Sequence, residues 1–168
     1  KDNQFKWDAV RFSHKVFAVI HACENIDSDW IIWLDADSKT FRTIPESFLD
    51  EVCDFTSMAC YLGRREKYHS ECGWVAYNRH HPKLQKFMKD WRELYMSDRL
   101  FDLKEYHDSF VFDAVRQHVP VQSRDWSSHL ITGEGHPLIN SEWGAYLDHL
   151  KGDRKALGRS KEKDLKVA

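Results

Sequence analysis

The chain has little glycine and little proline, 7 and 4 of its 168 residues, which excludes a glycine-rich phosphate-loop architecture and a linker-dominated chain. Its 4 cysteines, Cys23, Cys53, Cys60 and Cys72, lie far apart and form no C-x-x-C pair. They read as free buried thiols in a reducing compartment, so a cytoplasmic location is the expectation, rather than a disulfide frame or a zinc knuckle. No apolar run approaches the roughly 18–20 residues of a membrane span, and no secretory leader is visible. Neither sign of charge dominates: 25 Lys and Arg stand against 27 Asp and Glu, a formal charge of −2. Nothing global therefore calls for nucleic acid or an anionic membrane as partner.

What the chain does have is aromatic weight. With 7 Trp, 10 Phe and 6 Tyr, a core or cleft built on large flat side chains is expected. A hydrophobic share of 42% and a charged share of 31% are ordinary for a globular domain, and the length suits one. Residues 1–150 read as that domain and 151–168 as a basic tail, with seven basic and three acidic side chains. Such a tail is either a solvated end or a segment whose first residues meet an anion.

The spacing predicts a helix over 8–24, with Val10, Phe17 and Ile20 on its apolar side and Asp8, Arg11 and Lys15 as a charged stripe on another face. Trp30–Leu34 is a short apolar run ending abruptly in charge, as in a strand buried on both faces. Pro45 suits the first turn of a brief helix to Val52. Strands are expected at 55–62 and 73–78, helices at 82–96 and 108–117, irregular chain at 119–142, and a last short helix at 143–150 stopped by Gly152. Alternating strands and helices predict an α/β/α sandwich with a mostly parallel sheet.

The sharpest feature is Trp30-Ile-Ile-Trp-Leu-Asp35-Ala-Asp37. Side chains at i and i+2 of an extended chain point the same way, so two carboxylates emerge together at the carboxyl end of a strand, where open α/β sheets place ligands. Paired like charges repel unless a cation lies between them. A hard divalent ion is the natural occupant, and phosphate oxygens complete its shell. Haloacid-dehalogenase phosphatases also carry D-x-D, but need Thr or Val two residues further on, where this chain has Lys39.

In motif order the chain resembles the GT-A glycosyltransferases, nearest to glycogenin-like families. DWIIWLDADSKTF is similar to their strand and D-x-D, and ECGWVAYN, with Gly73 and Asn78, to the small-residue strand that follows. EYHDSFVFDAV is similar to the acidic motif that opens a helix near the acceptor, and YLDHLKGDRK to an H-x-x-G-type segment. The resemblance implies a GT-A-like (Rossmann-like) fold abbreviated at its amino end, because the first βαβ unit that holds the nucleotide base has no counterpart. It further implies Mn²⁺, or Mg²⁺, held by Asp35, Asp37 and His149, and a nucleotide-sugar donor of the UDP class. Lys151 would meet the phosphates. Asp108 would act at the sugar or acceptor, an acceptor whose identity stays open.

Physical chemistry fits these roles. A divalent cation stabilises charge on a departing nucleoside diphosphate, and Arg11 and Lys15 would add positive charge there. Asp108 suits a helix N-cap or a general base, and the two roles are compatible. Glu71 is a second carboxylate candidate for catalysis. Trp74, with Trp126 and Trp143, is a candidate platform for a sugar or base, although most of the tryptophans belong to the core. His80-His81-Pro82 marks a helix entrance and reads as structural. The rival reading is a non-catalytic metal- and nucleotide-binding module, or one whose base pocket a partner chain or second copy completes.

Overall fold

The computed structural model describes residues 4–64, 68–119, 122–127, 136–152 and 154–160. Helix α1 (Ala9–Asn25) is started by Asp8, whose Oδ1 accepts the Arg11 N–H at 3.0 Å. Asp8 thus caps the helix instead of pairing with the Arg11 side chain. Strand β1 (Trp30–Leu34) leads through a turn to β2 (Ser38–Thr40), then to α2 (Glu46–Val52), β3 (Ala59–Leu62) and β4 (Glu71–Asn78). There follow α3 (Leu84–Met96), α4 (Asp108–His118), β5 (Ser123–Asp125), α5 (Pro137–Asn140), β6 (Leu147–His149) and α6 (Arg154–Leu157). No helix among the described residues is long and apolar enough to cross a membrane.

The main sheet has four strands in the order β1-β4-β3-β5. β4 runs antiparallel to both β1 and β3, and β3 pairs parallel with β5. The sheet is therefore mixed, and two of its three pairings are antiparallel, which corrects the expectation of a mostly parallel sheet. β1, β3 and β5 do point the same way, but β4 is inserted between the first two. Pattern alone cannot show this: a central strand reads as one apolar run whichever way it points.

Side chains alternate across the sheet and fill both faces. Val75 and Tyr77 of β4, with Ala59 and Tyr61 of β3, pack under α1, α3 and α4 around Phe87, Trp91 and Phe112. Trp74, Ala76, Cys60 and Leu62 face the other way, against Phe48, Trp126, Leu138 and Trp143. β4 lies at the centre and is buried throughout. β1 is an edge strand: Ile31 is buried and Trp33 packs against the first core, whereas Ile32 and Leu34 remain about 40% exposed. It is thus not buried on both faces: on the side of Ile32 and Leu34 only Trp30 packs against the second core.

Other differences are local. Val10 is 72% exposed, so the apolar stripe of α1 begins later, at Val16, Val19 and Ile20, and Lys15 turns inward with it. The third strand spans only Ala59–Leu62, since Asp54, Thr56 and Ser57 form a hydrogen-bonded turn before it. The last helix expected at 143–150 is instead a 3₁₀ turn (Glu142–Ala145) followed by β6, which pairs antiparallel with β2 in a separate two-stranded sheet. Gly152 does adopt the left-handed conformation, φ 61°, and turns the chain back toward the body.

Phe112, fully buried against Tyr61, Tyr77, Phe87 and Trp91, tests this packing. In urea denaturation Phe112→Ala should lose about 3–5 kcal/mol of stability. Val10→Ser should change it by no more than about 0.5 kcal/mol.

Candidate active-site cleft

A cleft of about 1050 Å³ opens at the end of β1, between the start of α1, the start of α4 and the turn after β6, and Asp35, Asp37, Lys15, Asp108, His149, Lys151 and Arg11 all line it. Two pairings build its floor. The Asp35 N–H reaches Gly73 O at 2.9 Å, extending the β1–β4 ladder by one bond, and a tight turn then carries Asp37 into β2. In the β2–β6 pairing Ser38 sits opposite His149, and Leu150 N–H binds Asp37 O at 2.9 Å. The carboxylates therefore converge through a turn, not through the expected extended i, i+2 alternation. A residue 112 positions along the chain from Asp37 meets them: His149 Nε2 lies 2.8 Å from Asp37 Oδ1 and 3.5 Å from Asp35 Oδ2.

Behind His149 stands Glu71, 1% exposed. Its Oε1 takes His149 Nδ1 at 3.0 Å, the Gly73 N–H at 3.0 Å and Lys151 Nζ at 2.9 Å; Oε2 faces Arg64 and lies 3.2 Å from His136 Nε2. Burial pushes the Glu71 carboxyl pKa up, but the neighbouring His136 and His149 rings and the Lys151 and Arg64 charges outweigh it and hold the group well below the ordinary carboxylate range. Glu71, expected as a second catalytic carboxylate, does not line the cleft; it orients His149 from behind.

Gly73 explains why a small residue is needed on this strand. A Cβ there would lie 2.2 Å from His149 Nδ1 and 2.7 Å from Glu71 Oε1. The imidazole occupies the space a side chain would fill.

Lys15 forms a second bridge. Its ammonium sits 2.7 Å from Asp108 Oδ2 and 3.1 Å from Asp35 Oδ1, also contacts the Cys72 carbonyl, and lies 5.1 Å from the centre of the Trp33 ring. It is buried, whereas Arg11 of the same charged stripe is exposed. Burial would lower its pKa, but Asp108 and Asp35 raise it above the ordinary lysine value. In turn burial raises the Asp108 pKa, but the charge and hydrogen bond of Lys15, with the charges of Lys151 and His107, together outweigh it, and the group ends below the ordinary aspartate value. His107, not Asp108, caps α4: its Nδ1 accepts the Phe110 N–H at 3.4 Å, which leaves Asp108 turned to Lys15.

The tryptophans divide differently from expectation. Trp74 and Trp143 meet in the core with ring centroids 4.6 Å apart and planes tilted by 45°, and Trp126 gives its indole N–H to Val52 O. None of the three is a platform for a ligand. Trp33 lines the cleft instead, with Nε1 donating to Asp35 Oδ1 at 2.6 Å. Lys155 belongs to no motif of its own, yet its ammonium binds Asp37 Oδ2 at 2.9 Å from within α6. Its signal was the basic cluster after Gly152, where Arg154 proves buried and bonded to Lys151 O. Arg64 also lines the cleft, without a distinguishing local pattern. His80 pairs with Asp29, in keeping with its structural reading. The four thiols are free, and burial raises Cys23 and Cys53 to about 12 and Cys60 to about 11, so they are not nucleophiles at neutral pH.

Asp35, Asp37 and His149 offer ligand atoms that all lie within 4.8 Å of one another. Two carboxylate oxygens and one imidazole nitrogen suit Mn²⁺ or a similar divalent ion, and the Glu71 bond at Nδ1 leaves Nε2 directed at the two aspartates. The donor set fits such an ion. No protein-family model matches this chain, and no curated protein is significantly similar to it.

Two measurements follow from the geometry. Gly73→Ala should displace the His149 ring and weaken Mn²⁺ binding by about 10–100-fold in an electron-paramagnetic-resonance titration, as loss of a ligand's orientation does elsewhere. The stability carried by the lowered carboxyl of Asp108 is complete above its unfolded pKa, near 4, and is lost as the pH falls through its lower folded value. The gap in melting temperature between wild type and Asp108→Asn should therefore be widest near pH 7 and shrink as the pH falls below about 4.

Proposed function

We propose that this chain is a divalent-metal-dependent glycosyltransferase that takes its sugar from a nucleotide donor, of the UDP-sugar class, and passes it to a hydroxyl acceptor. One observation carries the reading. Two aspartates at the end of a strand and a histidine from a distant segment converge in a cleft also lined by Arg11, Lys15, Arg64, Lys151 and Lys155. Cationic side chains gathered around a metal-ligating trio, most of them held in place by ion pairs, suit a diphosphate better than an isolated metal.

In this reading Asp35, Asp37 and His149 hold Mn²⁺ or Mg²⁺, which supplies Lewis-acid stabilisation to the departing diphosphate. Lys151, Lys155 and Arg11 add charge to the same oxygens. Asp108 remains ionised because Lys15 lowers its pKa; a carboxylate so stabilised is a poor proton acceptor and is better suited to facing positive charge that develops at the anomeric carbon. Lys15 fixes the spacing between that carboxylate and Asp35.

Thermal melting with Mn²⁺ and UDP tests the assignment. Stabilisation that needs both together is the expected result; a rise with Mn²⁺ alone points to a metal-binding module. Asp37→Ala should then reduce turnover of UDP-sugar by about 10²–10³-fold, and unchanged turnover would reject the role given to this residue.

A further inference from the structure

Beyond Asp108 the cleft continues to a second end that no part of the donor chemistry uses. The contacts run in sequence: His149 to Asp35 and Asp37, Asp35 through Lys15 to Asp108, and past its neighbour His107 to Glu105. Glu105 is the hub of this far end. Its Oε1 binds Lys6 Nζ at 2.8 Å and its Oε2 binds His107 Nε2 at 2.7 Å, while His69 Nε2 stands 3.9 Å away.

The end is built, not accidental. A 3₁₀ turn at Gln4–Trp7 is tied to the loop before α4 by the Tyr106 N–H to Lys6 O at 2.7 Å and the Trp7 indole N–H to Lys104 O at 2.9 Å, besides the Lys6–Glu105 pair. Segments almost a hundred residues apart are thereby held in one arrangement, the pre-organisation that a binding site requires.

His69, Glu105 and His107 are close enough to cage a metal, but the proton positions oppose it. His107 Nδ1 accepts the Phe110 N–H, so Nε2 carries the ring proton and gives it to Glu105. A neutral imidazole in that tautomer has no lone pair at Nε2 to offer, and Lys6 already supplies a cation to the carboxylate.

Around this polar hub stand aromatic rings. Phe5 and Phe12 lie 6.5 and 6.1 Å from the His107 ring, and Phe5 and Tyr68 are 50% and 60% exposed at the cleft wall. Apolar ring faces beside a carboxylate with unused lone pairs match a ligand with one C–H-rich face and a hydroxylated edge. An anionic ligand would meet Glu105 and Asp108, and a cationic one would meet Lys6.

We propose that this end binds a neutral sugar, with Phe5 and Tyr68 against its ring face and Glu105 accepting its hydroxyls, so that the acceptor of the proposed transfer is itself a glycoside. The inference rests on the transferase reading for its direction of transfer; the sugar site itself does not.

An array of neutral mono- to tetrasaccharides, followed by saturation-transfer-difference NMR on the glycans retained, tests it in the full chain. Binding is expected, about ten-fold weaker in Glu105→Gln and lost or reduced in Phe5→Ala and in the surface variant Tyr68→Ala, while the joint Mn²⁺ and UDP stabilisation persists in all three. Absence of binding to every glycan overturns the proposal, as does binding that the three variants leave unchanged. Uridine binding that Phe5→Ala weakens also overturns it, since the rings would then serve the base. A Zn²⁺-induced rise in melting temperature abolished by His69→Ala would replace the sugar site with a metal site. If glycans bind as expected but Mn²⁺ with UDP stabilises nothing, the sugar site stands and the transferase reading falls.

Discussion

A carboxylate withdrawn from water costs several kcal/mol unless charge and hydrogen bonds replace the lost solvent, and Glu71 is placed where everything around it must do so. Two histidines, a lysine, an arginine and a backbone N–H surround it. Those partners come from β4, from the turn after β3, from the residue before α5, and from β6 and its following turn, so one side chain ties four separate parts of the chain together. Its effect on the cleft is indirect. It takes one nitrogen of His149 and presents the other to the two aspartates. The absence of a side chain at Gly73 lets the ring come close enough for this.

A parallel logic operates on the other side of Asp35. Lys15 is a buried cation between two carboxylates, and the trio carries one positive charge against two negative ones. Because Asp108 is the first residue of α4 and Lys15 lies on α1, the helices that cover one face of the sheet are also fastened to each other at the cleft. Packing and site electrostatics are thus coupled. Removing Lys15 would leave the two carboxylates facing each other without the cation between them, in a place where unpaired charge is costly.

Much of this was legible in the chain. Trp30–Leu34 as a strand, Asp35 and Asp37 at its end, α1, α3 and α4 within a residue or two at most of their bounds, and the glycine-bearing strand with Gly73 all follow from local pattern, since period and caps are short-range signals. His149 could be picked out only by its company of basic residues and by resemblance of motif order. What the pattern could not convey is long-range pairing. The antiparallel course of β4, the β2–β6 ladder that brings His149 opposite Ser38, and the inward turn of Lys15 all depend on contacts between distant residues. Trp74 illustrates the limit from the other direction: a tryptophan beside a functional glycine is a fair candidate for a ligand platform, yet the two point to opposite faces of the same strand, and the indole belongs to the second core.

β1 occupies the rim of the main sheet, and its outer row of backbone amides and carbonyls has no neighbouring strand among the described residues. Such a border is a template. Any extended segment that docked along Trp30–Leu34 would lengthen the sheet by one member and cover the bare flanks of Ile32 and Leu34. It would also end beside Asp35, placing whatever side chains it carried at the mouth of the cleft. The rim therefore sets β1 and the mouth of the cleft side by side, so polypeptide added to the sheet there would also border the cleft.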